Sequence, residues 1–364
     1  MGAPGTNGRN GKAFEATLAN EPAEAAEEAG LQYVSDDRPG YTRKANNGDF
    51  EYLDTQGQKI RDEQRVLRIK RLAIPPAWTD VWICPSSNGH IQATGRDARR
   101  RKQYRYHERW RELRDENKFG RLADFARALP KIRRRVTRDM KLPGLPREKV
   151  LATVVRLLER TFIRIGNEEY ARENKSFGLT TMKNRHVTVK GARLRFRFRG
   201  KSGRHHEVDV TDQRMAKIVS KCQDLPGQDL FQYVGDDGAV EDVTSQDVND
   251  YLREITTENF TAKDFRTWAG TVLAAIALNA QGESETKKEA KTNVKTALCA
   301  VAQLLGNTPA ICRKCYVHPA IVEAYMCGKQ IAGLGETIKT PKAIDLRVVE
   351  GAVLKFLRAQ QSGA

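Results

Sequence analysis

Three groupings of side chains in this 364-residue chain could do chemistry. The first is Arg99-Arg100-Arg101-Lys102-Gln103-Tyr104-Arg105-Tyr106, where cations are interleaved with flat polar rings. Guanidinium and ammonium groups neutralise phosphate oxygens, and a tyrosine ring suits a groove edge, so the run reads as a nucleic-acid contact. The second is Arg193-Leu194-Arg195-Phe196-Arg197-Phe198-Arg199, a strict period-two alternation with one face to pack and one expected to stay cationic. Gly200-Lys201-Ser202-Gly203 follows as a tight turn and puts Lys201 at or beside a hairpin tip. The third is Cys312-x-x-Cys315, half of a zinc or redox motif with no second close pair, so no metal site is expected. His205, His206 and His318 supply no ligand set by spacing and read as groove or surface residues.

Composition agrees with a polyanionic partner. Sixty-three Lys and Arg outnumber 46 Asp and Glu, for a formal net charge of +17 and an isoelectric point near 9.7. Membrane and small-molecule readings give way to nucleic acid. The charge is uneven: residues 96–138 hold 17 Lys and Arg against 6 Asp and Glu, a net of +11, whereas residues 1–30 hold two basic and five acidic side chains and read as a solvated, disordered tail. Six cysteines are too few for a disulfide framework, and Cys84, Cys222 and Cys299 fall at apolar positions, so free thiols in a reducing compartment are expected. No stretch approaches the roughly 18 apolar residues of a membrane span, and the start lacks a secretory pattern. A cytoplasmic, nucleoid-associated protein is expected, with no membrane partner.

These groups need a scaffold. From Leu31 to Cys84 the pattern is short and strand-like, with turn signals at Arg38-Pro39-Gly40, Asn46-Asn47-Gly48 and Gln56-Gly57, and Pro75-Pro76 at the close. Phe50, Tyr52, Leu53, Val81, Trp82 and Ile83 are the expected inward residues of a small sheet. The basic segment after Arg96 reads as helical. Pro143-Gly144-Leu145-Pro146 then breaks the chain before a helix with Val150, Leu151, Val154, Leu157, Leu158 and Phe162 at helical spacing. Apolar stripes at Met215, Ile218, Val219 and Cys222, and at Val248, Tyr251, Leu252 and Ile255, mark two more helices. Thr261-Ala262-Lys263-Asp264 has the form of a capping box ahead of Arg266, and Thr308-Pro309 and Thr340-Pro341 each place an N-cap hydroxyl before a helix-starting proline. The expected fold class is α+β. It comprises a tail over 1–30, a small β-rich N-terminal domain with a basic linker helix over 31–118, and a larger mainly helical domain with an inserted β-hairpin sheet over 119–364.

Several strings occur in one order: Arg164-Ile165-Gly166-Asn167-Glu168, Tyr170-Ala171-Arg172-Glu173-Asn174, Phe177-Gly178-Leu179-Thr180-Thr181, Phe198-Arg199-Gly200-Lys201, Lys263-Asp264-Phe265-Arg266-Thr267-Trp268, and Asn307-Thr308-Pro309 ahead of Cys315-Tyr316. With Gln103-Tyr104-Arg105-Tyr106-His107 and Trp110-Arg111 upstream, they resemble the poxvirus-like and bacterial branch of the type IB DNA topoisomerases over roughly residues 31–330. The resemblance implies a monomeric C-shaped clamp on duplex DNA and relaxation of supercoils through a 3′-phosphotyrosyl intermediate. Tyr316 matches the nucleophile, Arg164 and Arg266 the catalytic arginines, and Lys201 the general acid; Tyr170 joins the residues facing DNA, with Arg195, Arg197 and Arg199.

The residue types suit that reaction. A phosphodiester's pentacoordinate transition state concentrates charge on its non-bridging oxygens, where planar, permanently charged guanidinium groups can meet it. The departing 5′-alkoxide needs a proton, which a lysine can donate. The bond energy stays in the phosphotyrosine, so neither ATP nor a metal is required, and divalent cations are expected at most to stimulate turnover. Many family members place His nine residues before the nucleophile, where this chain has Asn307, a neutral hydrogen-bond donor. The nearest alternative is a tyrosine recombinase or integrase, which usually carries a His shortly before the second arginine; Lys263 and Asp264 stand there instead. A non-catalytic architectural DNA-binding protein is the alternative of another class. Singly, each residue has a plainer reading: Tyr316 as a half-buried helix-end ring, Arg164 paired with Glu168, Arg266 with Asp264 or Glu258.

Overall fold

Alternating side chains build a first sheet from β1 (Tyr41–Asn46), β2 (Asp49–Leu53), β3 (Thr79–Ile83), β4 (Ile91–Arg96) and β5 (Lys102–Tyr106). The strands are antiparallel in the order β2-β1-β3-β4-β5. In this computed structural model, which describes residues 23, 26–27, 29–46, 49–98, 100–334 and 346–362, the chain divides into two units between Lys118 and Phe119. The first unit's core is Tyr41, Ile60, Ile69, Val81, Ile83 and Ala93. Of the expected inward residues Val81 and Ile83 are buried, while Phe50, Tyr52, Leu53 and Trp82 are half-buried. Ala26 packs with Leu31 and Trp110 in a small satellite cluster.

Two elements of this unit depart from the sequence reading. Helix α1 (Glu63–Arg71) interrupts the strand-like stretch; Asp62 caps it by accepting from the Arg65 N–H, and Ile69 is its buried anchor. The basic run begins as strand β5, not as helix. Its register with β4 pairs Thr94 with Tyr104 and Arg96 with Lys102, and exposure alternates along it. The helical segment starts only with α2 (Glu108–Gly120), which carries the chain into the second unit.

The second unit is mainly helical, with α3 (Leu122–Asp139), α4 (Arg147–Thr161), α5 (Glu168–Asn174), α6 (Gln213–Gln223), α7 (Ser245–Thr256), α8 (Ala262–Asn279), α9 (Lys287–Leu305), α10 (Pro309–Cys315), α11 (Pro319–Met326) and α12 (Leu346–Ser362). One large core joins all of them but α5, and both stripes read from the sequence are buried on α6 and α7. An antiparallel sheet of β6 (Val187–Lys190), β7 (Arg193–Arg199) and β8 (His205–Thr211) packs Leu194, Phe196 and Phe198 into it; a two-stranded ribbon pairs β9 (Gln232–Val234) with β10 (Val240–Asp242). The Thr261 capping box and the Thr308 cap form as their spacing requires, whereas Thr340-Pro341 lies outside the described residues. Cys84 and Cys222 are buried but Cys299 is exposed. No helix among the described residues is long and apolar enough to cross a membrane.

Candidate active site

Helix ends converge on one place. α4 stops at Phe162, which turns left-handed at φ 55°, and Arg164 follows two residues later. α9 ends at Leu305, and a left-handed Gly306 delivers Asn307. α10 ends at Tyr316, whose N–H closes the last turn on the Cys312 carbonyl at 2.9 Å. Nη2 of Arg164 donates to Oδ1 of Asn307. Arg164 therefore pairs with the Asn307 amide, leaving Glu168 in the first turn of α5.

The backbone beneath Arg164 depends on a glycine. The Leu179 N–H donates to the Arg164 carbonyl, and Thr180 N–H to that of Ile165, which ties the two segments together. A Cβ at Gly178 would lie 2.5 Å from the Gly166 nitrogen and 2.6 Å from the Arg164 carbonyl oxygen. Both obstacles are backbone, so Gly178→Ala must push Arg164 off its seat. We expect a loss of about 1–3 kcal/mol of stability together with slowed DNA cleavage, checked by thermal melting and single-turnover kinetics; an unchanged melting curve and rate would contradict this packing.

Arg266 ties the site together. It is only 4% exposed; Nη1 donates to the Phe162 carbonyl, and Nη2 to the Leu305 carbonyl at 2.7 Å. One guanidinium thus fastens the chain just before Arg164 to the chain just before Asn307. Its expected partner Asp264 is occupied by the Thr261 capping box. The Nε atom of Arg266 is buried with no hydrogen-bond partner among the described residues.

The guanidinium also lies over the Tyr316 ring, 5.0 Å from its centroid. One turn further along α8, Gly270 lets the Tyr316 backbone come close: a Cβ there would lie 2.5 Å from the Tyr316 carbonyl oxygen. Thr271 donates to that same oxygen at 3.3 Å and accepts from the His318 N–H at 3.1 Å. Helical spacing puts Arg266 and Gly270 on one face, so a single element seats and polarises the ring. Burial pushes the Tyr316 hydroxyl pKa up, but the charges of Arg266, Arg164 and Lys201 and a hydrogen bond from Arg266 outweigh it, and the net shift is downward from 10. The phenolate form is thereby favoured.

Lys201 opens a single 3-10 turn, Lys201–Gly203, between β7 and β8, exposed at the tip as the spacing predicts. Ser202 and Gly203 carry the reversal at φ 63° and 77°. The structure therefore brings Arg164, Lys201, Arg266, Asn307 and Tyr316 together. His206 was missed as part of this group: it is half-buried between the hairpin and the Asn307 turn, although His205 is exposed as expected. A signal existed, because His206-x-Val208-x-Val210 alternates in phase with the apolar face of β7. His318 is no groove residue either: it caps α11, packs edge-on against Phe119 with centroids 5.3 Å apart, and burial pushes its pKa down to about 4.

The comparisons with known proteins fall on the same chain segments. The family model of the eukaryotic DNA topoisomerase I catalytic core matches residues 107–343, and that of the bacterial DNA topoisomerase IB N-terminal domain matches residues 49–97. DNA topoisomerase 1B of Acanthamoeba polyphaga mimivirus is 32% identical over 293 residues, covering 79% of this chain and 87% of the relative. The chain belongs to the type IB DNA topoisomerases. DNA topoisomerase I of monkeypox virus and DNA topoisomerase 1B of vaccinia virus (strain Copenhagen) are similar at 23% and 24% identity, each over 70% of this chain and 80% of the relative. The recombinase and architectural readings are set aside.

In this topoisomerase much of the basic surface is already spent internally. On β5, Tyr104 and Tyr106 are exposed and stacked, 5.7 Å between centroids. Lys102 pairs with Asp36 at 2.8 Å, Arg101 with Asp97 at 2.6 Å, and Gln103 also donates to Asp97. Arg105 points inward, donating to the Ala73 carbonyl at 2.6 Å. Arg100 is exposed in a left-handed turn; Arg99 lies outside the described residues. Further on, Arg133 is clasped by Glu159 and Glu350, and Arg135 and Arg138 share Asp139. The outer face of β7 is likewise not simply cationic, because Arg193 and Arg195 bind Asp209 and Arg197 binds Glu207 on the neighbouring strand. Arg199 is exposed beneath the Lys201 turn, and Tyr170 is half-buried in the first turn of α5.

Proposed function

We propose that this type IB enzyme relaxes supercoiled duplex DNA by nicking one strand with Tyr316, letting the free end rotate, and religating. The phenolate oxygen, already deprotonated, bonds to phosphorus as the bond to the 5′ oxygen breaks, leaving a 3′-phosphotyrosine and a 5′-hydroxyl; religation is the reverse. Lys201 donates the proton that the 5′ oxygen takes up, and Arg164, Arg266 and Asn307 meet the charge on the non-bridging oxygens. The observation that carries the reading is the Arg266 guanidinium, fixed to two carbonyls and lying over the Tyr316 ring while Arg164 and Lys201 act on the same hydroxyl. The unpartnered Arg266 Nε fits the same picture, since a phosphate oxygen would relieve a cost of roughly 1–3 kcal/mol. The N-terminal and catalytic units act as a clamp around the duplex, as a monomer in a cytoplasmic, nucleoid-associated setting.

Relaxation of supercoiled plasmid in EDTA without ATP tests this. Removal of positive and negative supercoils is expected, with divalent cations only stimulating turnover; an absolute requirement for ATP or Mg²⁺ would sink the proposal. DNA affinity should also fall steeply as salt rises, because phosphate contacts release counterions. With several cations already paired internally, the slope should report fewer contacts than the net charge suggests.

Asn307 accepts from Arg164 while its amide N–H₂ makes a long contact, 3.4 Å, to the Leu305 carbonyl and a hydrogen bond to the Cys312 thiol, a weak acceptor. That leaves a donor to turn toward phosphate. We expect Asn307→His to keep substantial cleavage activity and Asn307→Ala to lose about 10²-fold or more. Equal losses in single-turnover cleavage would contradict a donor role.

A further inference from the structure

One side chain separates the Lys201 hairpin from the Asn307 turn. His206 stands across from Phe198 in the β7–β8 register and stacks on its ring, with centroids 5.2 Å apart and planes at 13°. One edge of the imidazole fills the space over Gly200, the residue before Lys201, where a Cβ would lie 2.6 Å from Cδ2 and 2.7 Å from Nε2. Another edge fills the space at Gly306, the residue before Asn307, where a Cβ would run into Cε1. Both glycines are needed for the ring to fit. Arg204, also on the hairpin, donates from Nη1 to the Asn307 carbonyl at 3.0 Å and closes the same gap from outside. Burial, then Arg164, Arg266, Arg204 and His205, lower the His206 pKa from 6.5, so the spacer is neutral at pH 7 and adds no charge beside the catalytic arginines.

We propose that His206 is a positioning residue for proton delivery: its ring is the spacer that sets the Lys201 turn at its working distance from Asn307 and the phosphate. The inference rests on the reading of Lys201 as general acid. Neither a metal nor a base role is involved, because what matters is a flat ring of this size wedged between two glycines.

The test compares single-turnover cleavage of two DNAs, one with an ordinary scissile phosphodiester and one whose bridging 5′ oxygen is sulfur. A thiolate's conjugate acid ionises near about 8.5, so sulfur leaves without a donated proton. His206→Ala should cleave the oxygen substrate about 10²-fold more slowly, the scale of a 1 Å misplacement, and the sulfur substrate at close to the wild-type rate. His206→Phe, which keeps a stacked ring, should stay near wild type on both. Gly200→Ala, which forces a methyl onto the ring with His206 in place, should reproduce the sulfur-relieved defect and serves if His206→Ala folds poorly. Equal slowing on both substrates, no slowing, or a Phe variant as slow as Ala would overturn the proposal. Lys201→Ala is the control: relief by sulfur there but not in His206→Ala sinks this inference alone, whereas no relief in Lys201→Ala removes the general-acid reading and this inference with it.

Discussion

Tyr316→Phe is expected to bind DNA with the affinity of the parent enzyme but to form no covalent adduct, and plasmid relaxation should fall by about 10⁶-fold, the scale at which losing a nucleophile leaves only binding and background. The geometry makes this a clean deletion of one atom. The ring packs over Arg266, and the segment is held through its backbone by Cys312, Thr271 and the close approach of Gly270. The hydroxyl gives up its hydrogen bond from Arg266, but the contacts that seat the ring and the backbone do not use it, so Phe can occupy the same place. The depressed pKa of the tyrosine is lost with the hydroxyl, but Arg266 keeps both carbonyl partners. Melting temperature and DNA affinity are the controls. Residual relaxation at a tenth of the parent rate would mean that another group attacks the phosphate.

Arg266→Ala carries the next largest effect, and for two separable reasons. Loss of a fixed donor aimed at developing charge costs about 10²–10³ in cleavage rate. In addition, the carbonyls of Phe162 and Leu305 lose their partner in a site only 4% exposed at Arg266, and buried polar groups left unpaired cost about 1–3 kcal/mol each. The variant should therefore both melt earlier and cleave more slowly than charge loss alone explains. Arg266→Lys should recover little. An ammonium keeps the charge but has no planar fork to span two carbonyls while lying over a ring. If Lys restored most of the activity, the guanidinium would be acting as a point charge and the cross-tie between the α4 and α9 ends would be incidental.

Much of this arrangement was legible in the sequence where local pattern decides. The period-two run at Arg193–Arg199 and the turn after it predicted the hairpin and the exposure of Lys201, and the Thr261 and Thr308 caps fixed the starts of the helices that carry Arg266 and Tyr316. What local pattern could not show is pairing at long range. Lys102 finds Asp36 across 66 residues and Arg133 finds Glu350 across 217, so a charge count alone made the basic segment look freer than it is. Strand β5 was hidden because its five residues are all polar or aromatic, which leaves no apolar alternation to read; only its pairing with β4 makes it a strand. His206 was overlooked because a histidine beside another histidine in a basic stretch looks like surface, and its role depends on two glycines, one six residues before it and the other a hundred after.

The most direct measurement traps the intermediate. A duplex that loses its short 5′-hydroxyl fragment after cleavage accumulates the adduct, which is digested with protease and mapped by mass spectrometry. The account predicts a single modified peptide containing Tyr316, joined to the 3′ phosphate of the DNA, with a 5′-hydroxyl on the released strand. Attachment to another residue such as Tyr170 or Tyr325, or a linkage to the 5′ end, would contradict it.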